Sequence, residues 1–151
     1  LTDESIKAVA AGCGNSLTSL DLRGCGNLTK IKALAQNCSL LTSLDVSRCG
    51  NITDESVKAV AVGCSSLTSL DLSECTNITS ESVKAIAENC SSLTSLNLAK
   101  SGSLTDKSRS WLSRPAGCPS LASLNLGGAS ALLTDESIRT LAQNCSLTSL
   151  S

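Results

Sequence analysis

Apolar residues return along this chain at the same nine places in a repeating unit. Counted from the first leucine of each unit as offset 0, they fall at offsets 0, 3, 5, 8, 11, 16, 19, 20 and 23. The units restart at Leu17, Leu41, Leu67, Leu93, Leu121 and Leu147, with spacings of 24, 26, 26, 28 and 26 residues. The units starting at Leu41 and Leu67 agree at 19 of 26 positions. Offsets 3 and 5 alternate with polar residues, as in Leu70 and Leu72 or Leu96 and Leu98, which predicts a short strand. Offsets 16, 19, 20 and 23 line one face of a helix, as in Val57, Val60, Ala61 and Cys64. Thr53 and Asp54 stand where a helix N-cap belongs. Gly or Asn just before the offset-23 cysteine (Gly63, Asn89, Asn144) reads as a helix stop.

Each unit is therefore strand, turn, helix and return. A period in this range marks a stacked solenoid, because one such unit cannot bury its apolar face alone. The strand recurs once per unit and each crossover carries a helix, so the strands form a parallel sheet with right-handed connections. The expected architecture is α/β, with about six short strands on the inside of a curved stack and the wider helices outside. The divisions are a partial unit 1–16, units 17–40, 41–66, 67–92, 93–120 and 121–146, and a partial unit 147–151. The chain starts and stops inside a unit and contains no Met, so it is expected to be a fragment of a longer array.

The pattern L-x-x-L-x-L-x-x-C-x-x-I-T-D, followed by a helix ending at Cys, is carried by Leu41, Leu44, Val46, Cys49, Ile52, Thr53, Asp54 and Cys64. It resembles the cysteine-containing subtype of leucine-rich repeats, and the resemblance extends over essentially the whole chain. It implies a right-handed horseshoe with the sheet on the concave side. That subtype is typical of F-box proteins, the substrate-recruiting subunits of cullin-type ubiquitin ligases. The resemblance thus implies a non-catalytic scaffold that holds a protein partner on its concave face. No segment here matches an F-box. The alternative is a structural or surface repeat array with no specific ligand.

All nine cysteines fall in two columns. Offset 8 holds Cys25, Cys49 and Cys75 before giving way to Ser101 and Ala129; offset 23 holds Cys13, Cys38, Cys64, Cys90, Cys118 and Cys145. Successive cysteines are 11 to 28 residues apart and there is no His, unlike the close pairs of a zinc site. Column neighbours lie a strand spacing or more apart, too far for a disulfide. They read as small buried hydrophobes with a weak donor. Buried unpaired thiols point to a reducing compartment, cytoplasm or nucleus, and away from secretion. Six Asn-x-Ser/Thr sequons, at Asn27, Asn37, Asn51, Asn77, Asn89 and Asn144, come from only two repeat positions and read as by-products of the motif.

The strand positions left exposed form the expected binding face. Offset 4 reads Asp21, Asp45, Asp71, Asn97 and Asn125, and offsets 6 and 7 add Arg23, Arg48, Glu74 and Lys100. The three Asp are expected to stack on neighbouring strands and to be balanced by Arg23, Arg48 and Lys100. On the helices, Glu4–Lys7, Glu55–Lys58, Glu81–Lys84 and Glu136–Arg139 have the i, i+3 spacing of exposed ion pairs. The unit 93–120 is two residues longer and holds the only Trp. There Lys107, Arg109, Trp111 and Arg114 make a basic bulge, a second candidate contact, and Pro115 is expected to stop its helix early.

Composition removes other classes. The net charge of -1 gives no basic footprint for nucleic acid or a membrane surface. Without His there is no His-based triad or general base, and no Walker-type phosphate loop is present. No cofactor, metal, nucleic acid, membrane or small-molecule substrate is expected; the expected partner is a protein.

Overall fold

The computed structural model describes residues 1–102, 104–112, 117–128, 139, 143 and 145–151, with the backbone alone for 106, 107 and 109. The expected stops at Pro115 and Asn144, the Glu136–Arg139 pair, and Ala129 lie outside the described residues.

Strand and helix alternate through the chain: α1 (Asp3–Cys13), β1 (Ser19–Asp21), α2 (Lys32–Asn37), β2 (Ser43–Asp45), α3 (Asp54–Gly63), β3 (Ser69–Asp71), α4 (Ser80–Asn89), β4 (Ser95–Asn97), α5 (Asp106–Leu112), β5 (Ser123–Asn125) and β6 (Ser149–Leu150). The strands form one parallel six-stranded sheet in sequence order. The register pairs equal offsets throughout, so Leu44 faces Leu20 on one side and Leu70 on the other. Each of α1 to α4 packs on the helix that follows it. No helix among the described residues is long and apolar enough to cross a membrane.

The periodic aliphatics fill the space between sheet and helices as one continuous cluster. Leu41, Leu67 and Leu93 at offset 0, and Ile52 and Ile78 at offset 11, are completely buried. Leu44, Leu70, Leu96 and Leu124 point from the strands into the same core. With the strands only three residues long, this burial and its repetition carry the stability of the stack.

Buried polar side chains reach back to the preceding unit. The Cys49 thiol donates to the Leu22 carbonyl (3.2 Å) and Cys75 to Val46 (3.1 Å). Ser101 takes over the column and donates to the Leu72 carbonyl at 2.7 Å. In the second column, Cys64 and Cys90 donate to the Leu34 and Ala61 carbonyls at 3.7 and 3.8 Å. All nine cysteines are unbridged, and seven are buried. Burial pushes the Cys75, Cys90 and Cys118 thiols up to about 12, which keeps all three protonated and leaves Cys75 and Cys90 able to donate.

Two expectations about the helix ends need correction. The Thr53 side chain makes no capping bond to α3, and Asp54 does not cap its own helix. The Asp54 carboxylate reaches forward to α4 instead. It accepts from the Thr79 amide and hydroxyl, both at 2.7 Å, and from the amide and hydroxyl of Ser82. Asp54 therefore satisfies first-turn donors of the following helix, a capping role exerted across units. Asp3 holds Thr29 and the Lys30 amide in the same way. Ser80 replaces the carboxylate in the next unit and meets Thr105 and Ser108. The helices end where expected, α3 at Gly63 and α4 at Asn89, but Gly63 does so without a left-handed φ. A Cβ there would collide with the backbone of Ala35 on α2, so the glycine permits close helix approach.

Burial alone would raise the Asp54 carboxyl, but the donors of Ser82 and Thr79 outweigh it and hold it below its ordinary value. A depressed folded-state value gives stability that is present above the unfolded value and lost as pH falls through the folded one. Asp54→Ala is expected to cost about 1–3 kcal/mol at neutral pH, because it orphans buried donors. The gap between native and variant should begin to narrow below about pH 4, where the carboxyl of the unfolded chain protonates, and close as pH falls through the lower folded value. Urea denaturation of both proteins from pH 7 to pH 2.5 measures this.

Candidate interaction face

The face opposite the helices is built by the first eight residues of each unit. Strand residues at offsets 2 and 4 point outward while the leucine between them is buried, a pattern shared by β2 to β5. Parallel pairing then continues past the strands into the turns: the Gly24, Arg48, Glu74 and Lys100 amides each donate to the offset-6 carbonyl of the next unit, at 2.8–2.9 Å.

The offset-4 side chains shape these turns. Asp45 accepts from the Ser47 amide (2.9 Å), Asp71 from the Ser73 amide (2.8 Å), Asn97 from Ala99 (3.1 Å) and Asn125 from Gly127 (2.9 Å). This Asx-type bond to the residue two ahead explains why Asp or Asn occupies the position in the units from Leu17 to Leu121. The residue at offset 7 then turns left-handed. Gly24 and Gly128 do so freely, but Arg48 (φ 60°), Glu74 (φ 58°) and Lys100 (φ 53°) do so as side-chain-bearing residues. Offset 7, expected only as an exposed position of the binding face, is thus also a backbone constraint. The signal was the glycine at that offset in the units of Cys25 and Ala129.

The turn geometry brings Arg23, Asp45, Arg48, Asp71 and Glu74 together along one groove of about 450 Å³. Arg23 grips Asp21 (2.7 Å) and reaches Asp45 at 3.4 Å. The Arg23 guanidinium lowers the Asp21 carboxyl below its usual range. Asp71 is relieved by donors rather than by a cation: Ser73 binds one oxygen and the Asn97 amide group the other (2.8 Å). Arg48 does not balance the Asp column as expected. It turns to Glu74, 3.4 Å away. Lys100 forms no ion pair among the described residues. It and Asn125 extend the same face beyond Asn97.

The second candidate contact is divided. Trp111 is half-buried against the core, with the Lys84 ammonium 4.9 Å from its ring centre. Lys84 is thus not paired with Glu81, and of the expected i, i+3 pairs Glu4–Lys7 closes, at 2.6 Å. The side chains of Lys107 and Arg109, and all of Arg114, lie outside the described residues. Among the described residues no group of three or more His, Cys, Asp or Glu is placed to hold a metal ion.

In-register parallel strands, a helix in each crossover from β1 to β5 and an outward-facing strand strip define a leucine-rich-repeat solenoid, curved with the sheet inside. A protein-family profile described as Leucine Rich repeat matches residues 37–61 and 63–87. Among solved structures, the chain is similar to a chain of the Rad7 and Elc1 complex of yeast, with TM-score 0.80 and 24% identity over 99% of this chain and 39% of that one. It is similar to an internalin (inlF) of Listeria monocytogenes, with TM-score 0.70 and 27% identity over 100% of this chain and 38% of that one. The tropomodulin C-terminal domain of Caenorhabditis elegans matches with TM-score 0.57 and 14% identity, over 99% and 82% of the two chains. The chain thus spans less than half the length of the first two. No curated protein is a match.

The left-handed turn yields a direct test. A Cβ at Gly24 would meet nothing within 4 Å, so Gly24→Ala carries only the backbone penalty, expected at about 1–2 kcal/mol. Arg48→Gly should leave stability unchanged or raise it, although it removes the exposed pair with Glu74. Urea midpoints of the two variants decide whether the turn or the ion pair governs this rim.

Proposed function

We propose that this chain is the recognition part of a non-catalytic protein-interaction scaffold, with the concave strip from Asp21 to Asn125 as its binding face. The observation that carries this reading is the groove at the ends of the strands. It gathers Arg23, Asp45, Arg48, Asp71 and Glu74 on a backbone fixed by hydrogen bonds from unit to unit. Arg48, Glu74 and Lys100 hold unfavourable left-handed backbone there, and their charged ends are presented outward. Such a surface of alternating sign selects partners by charge complementarity.

Two further assignments extend the proposal. The cysteine-containing motif resembles that of F-box proteins, which supports a role as the substrate-binding part of a ubiquitin ligase. The likeness to a chain crystallised in the Rad7–Elc1 complex supports a scaffold that works in an assembly. The buried, protonated thiols support residence in a reducing compartment, cytoplasm or nucleus. The competing reading, a repeat array with no specific ligand, is favoured by the small offset-2 column of Ser43, Ser69, Ser95 and Ser123, which offers no anchor.

Affinity capture separates the two. The native chain should recover a discrete protein partner, and Arg23→Glu combined with Arg48→Glu should reduce recovery by about tenfold or more, since reversed charges meet the partner's own. Recovery of no partner by the native chain, or equal recovery by both, supports the array without a ligand.

A further inference from the structure

We infer that the convex side carries a second docking site, a cationic notch between α2 and α3 that takes an acidic segment of a protein partner bearing apolar side chains. The notch is a local departure from the repeat. In the unit 41–66, Thr53 is followed by Asp54, Glu55 and Ser56 before the buried Val57. In the unit 17–40, which is two residues shorter, Thr29 is followed by Lys30 alone before the buried Ile31. The acidic first turn found in α1, α3 and α4 is therefore missing, and α2 has six residues where its neighbours have 11 and 10. The lost turn leaves a groove of about 770 Å³ beside α3.

The groove combines charge with exposed apolar surface. Lys30, Lys32 and Lys58 stand around it against a single carboxylate, Glu55. Among the described residues neither Lys32 nor Lys58 makes a hydrogen bond or ion pair through its ammonium group, and the Lys30 ammonium has only a distant attraction to Asp3. These cations stand together in a chain whose net charge is -1. Ala35, Ala59 and Val62 line the space between them, and Val62 is 62% exposed although it lies on a helix packed against the core. Three unneutralised lysines around an apolar floor fit a segment with carboxylates on its edges and aliphatic side chains at its centre. An apolar helix alone would strand the ammonium groups, and a bare anion would leave Val62 uncovered.

The test uses the whole chain and a fluorescein-labelled peptide of glutamates with leucines at helical spacing, read by fluorescence anisotropy. The native chain should bind it, and added salt should weaken the complex. Lys30→Glu, Lys32→Glu and Lys58→Glu together should weaken it by about tenfold or more. Val62→Asp alone should weaken it too, with circular dichroism confirming that both variants remain folded. Arg23→Glu with Arg48→Glu on the concave face should leave it intact, so failure here is distinct from failure of the concave site. Absence of binding to the native chain overturns the inference. So does equal binding by an all-glutamate peptide, equal competition by inorganic phosphate or heparin, or loss caused only by the concave variant.

Discussion

The whole structure depends on lateral satisfaction between units. A three-residue strand and a helix of about two or three turns have too little apolar surface and too many open backbone groups to persist alone. Register resolves both problems at once. Pairing equal offsets stacks leucine on leucine inside and aligns the turn amides of Gly24, Arg48, Glu74 and Lys100 with carbonyls of the next turn. The buried thiols, hydroxyls and carboxylates then act as locks on that register, because each finds its partner only when the units are aligned.

Constraint and recognition meet at the concave rim. The Asx bond at offset 4 and the left-handed residue at offset 7 are needed for the chain to leave the strand and start its crossover. The same two positions supply the charges of the groove apart from Arg23, which stands at offset 6. The geometry of the strip is thus inherited from the fold, while its sign pattern is free to vary: aspartate or asparagine at one position, arginine, glutamate, lysine or glycine at the other. The convex notch arises in the opposite way, from a unit that drops part of the repeat. There the fold tolerates a shortened helix because Ile31 and Leu34 still fill the core.

Much of this was legible in the sequence because it is periodic. The alternation of Leu70 with polar neighbours set the strands, the Val57–Cys64 series set the helix face, and the cysteine columns announced burial. What escaped was non-local. Thr53 and Asp54 look like a cap for the helix they precede, and no local window shows that Asp54 serves donors about one unit further on. Gly63 looks like a stop signal because the backbone of Ala35 that demands it belongs to another helix. Arg48, Glu74 and Lys100 carry no mark of a left-handed turn in themselves. Glycine at the same offset in other units does, and only an alignment of the units by offset reveals it. The column of aspartates was legible as a ladder, but its relief by Ser73, Asn97 and Arg23 depended on side-chain directions.

The locks between units share a direction. Cys49, Asn51, Ser56, Thr79, Ser82 and Ser101 all donate backward, to acceptors in the unit before them. In these side-chain locks each unit offers donors toward the unit before it and acceptors toward the unit after it, like a coupling with a plug and a socket, while the amides of the rim donate the other way. Copying a whole unit in tandem preserves every joint, whereas reversing one breaks them all. Gene duplication can lengthen such a protein without redesigning any interface, and the 19 of 26 positions shared by the units from Leu41 and Leu67 accord with that.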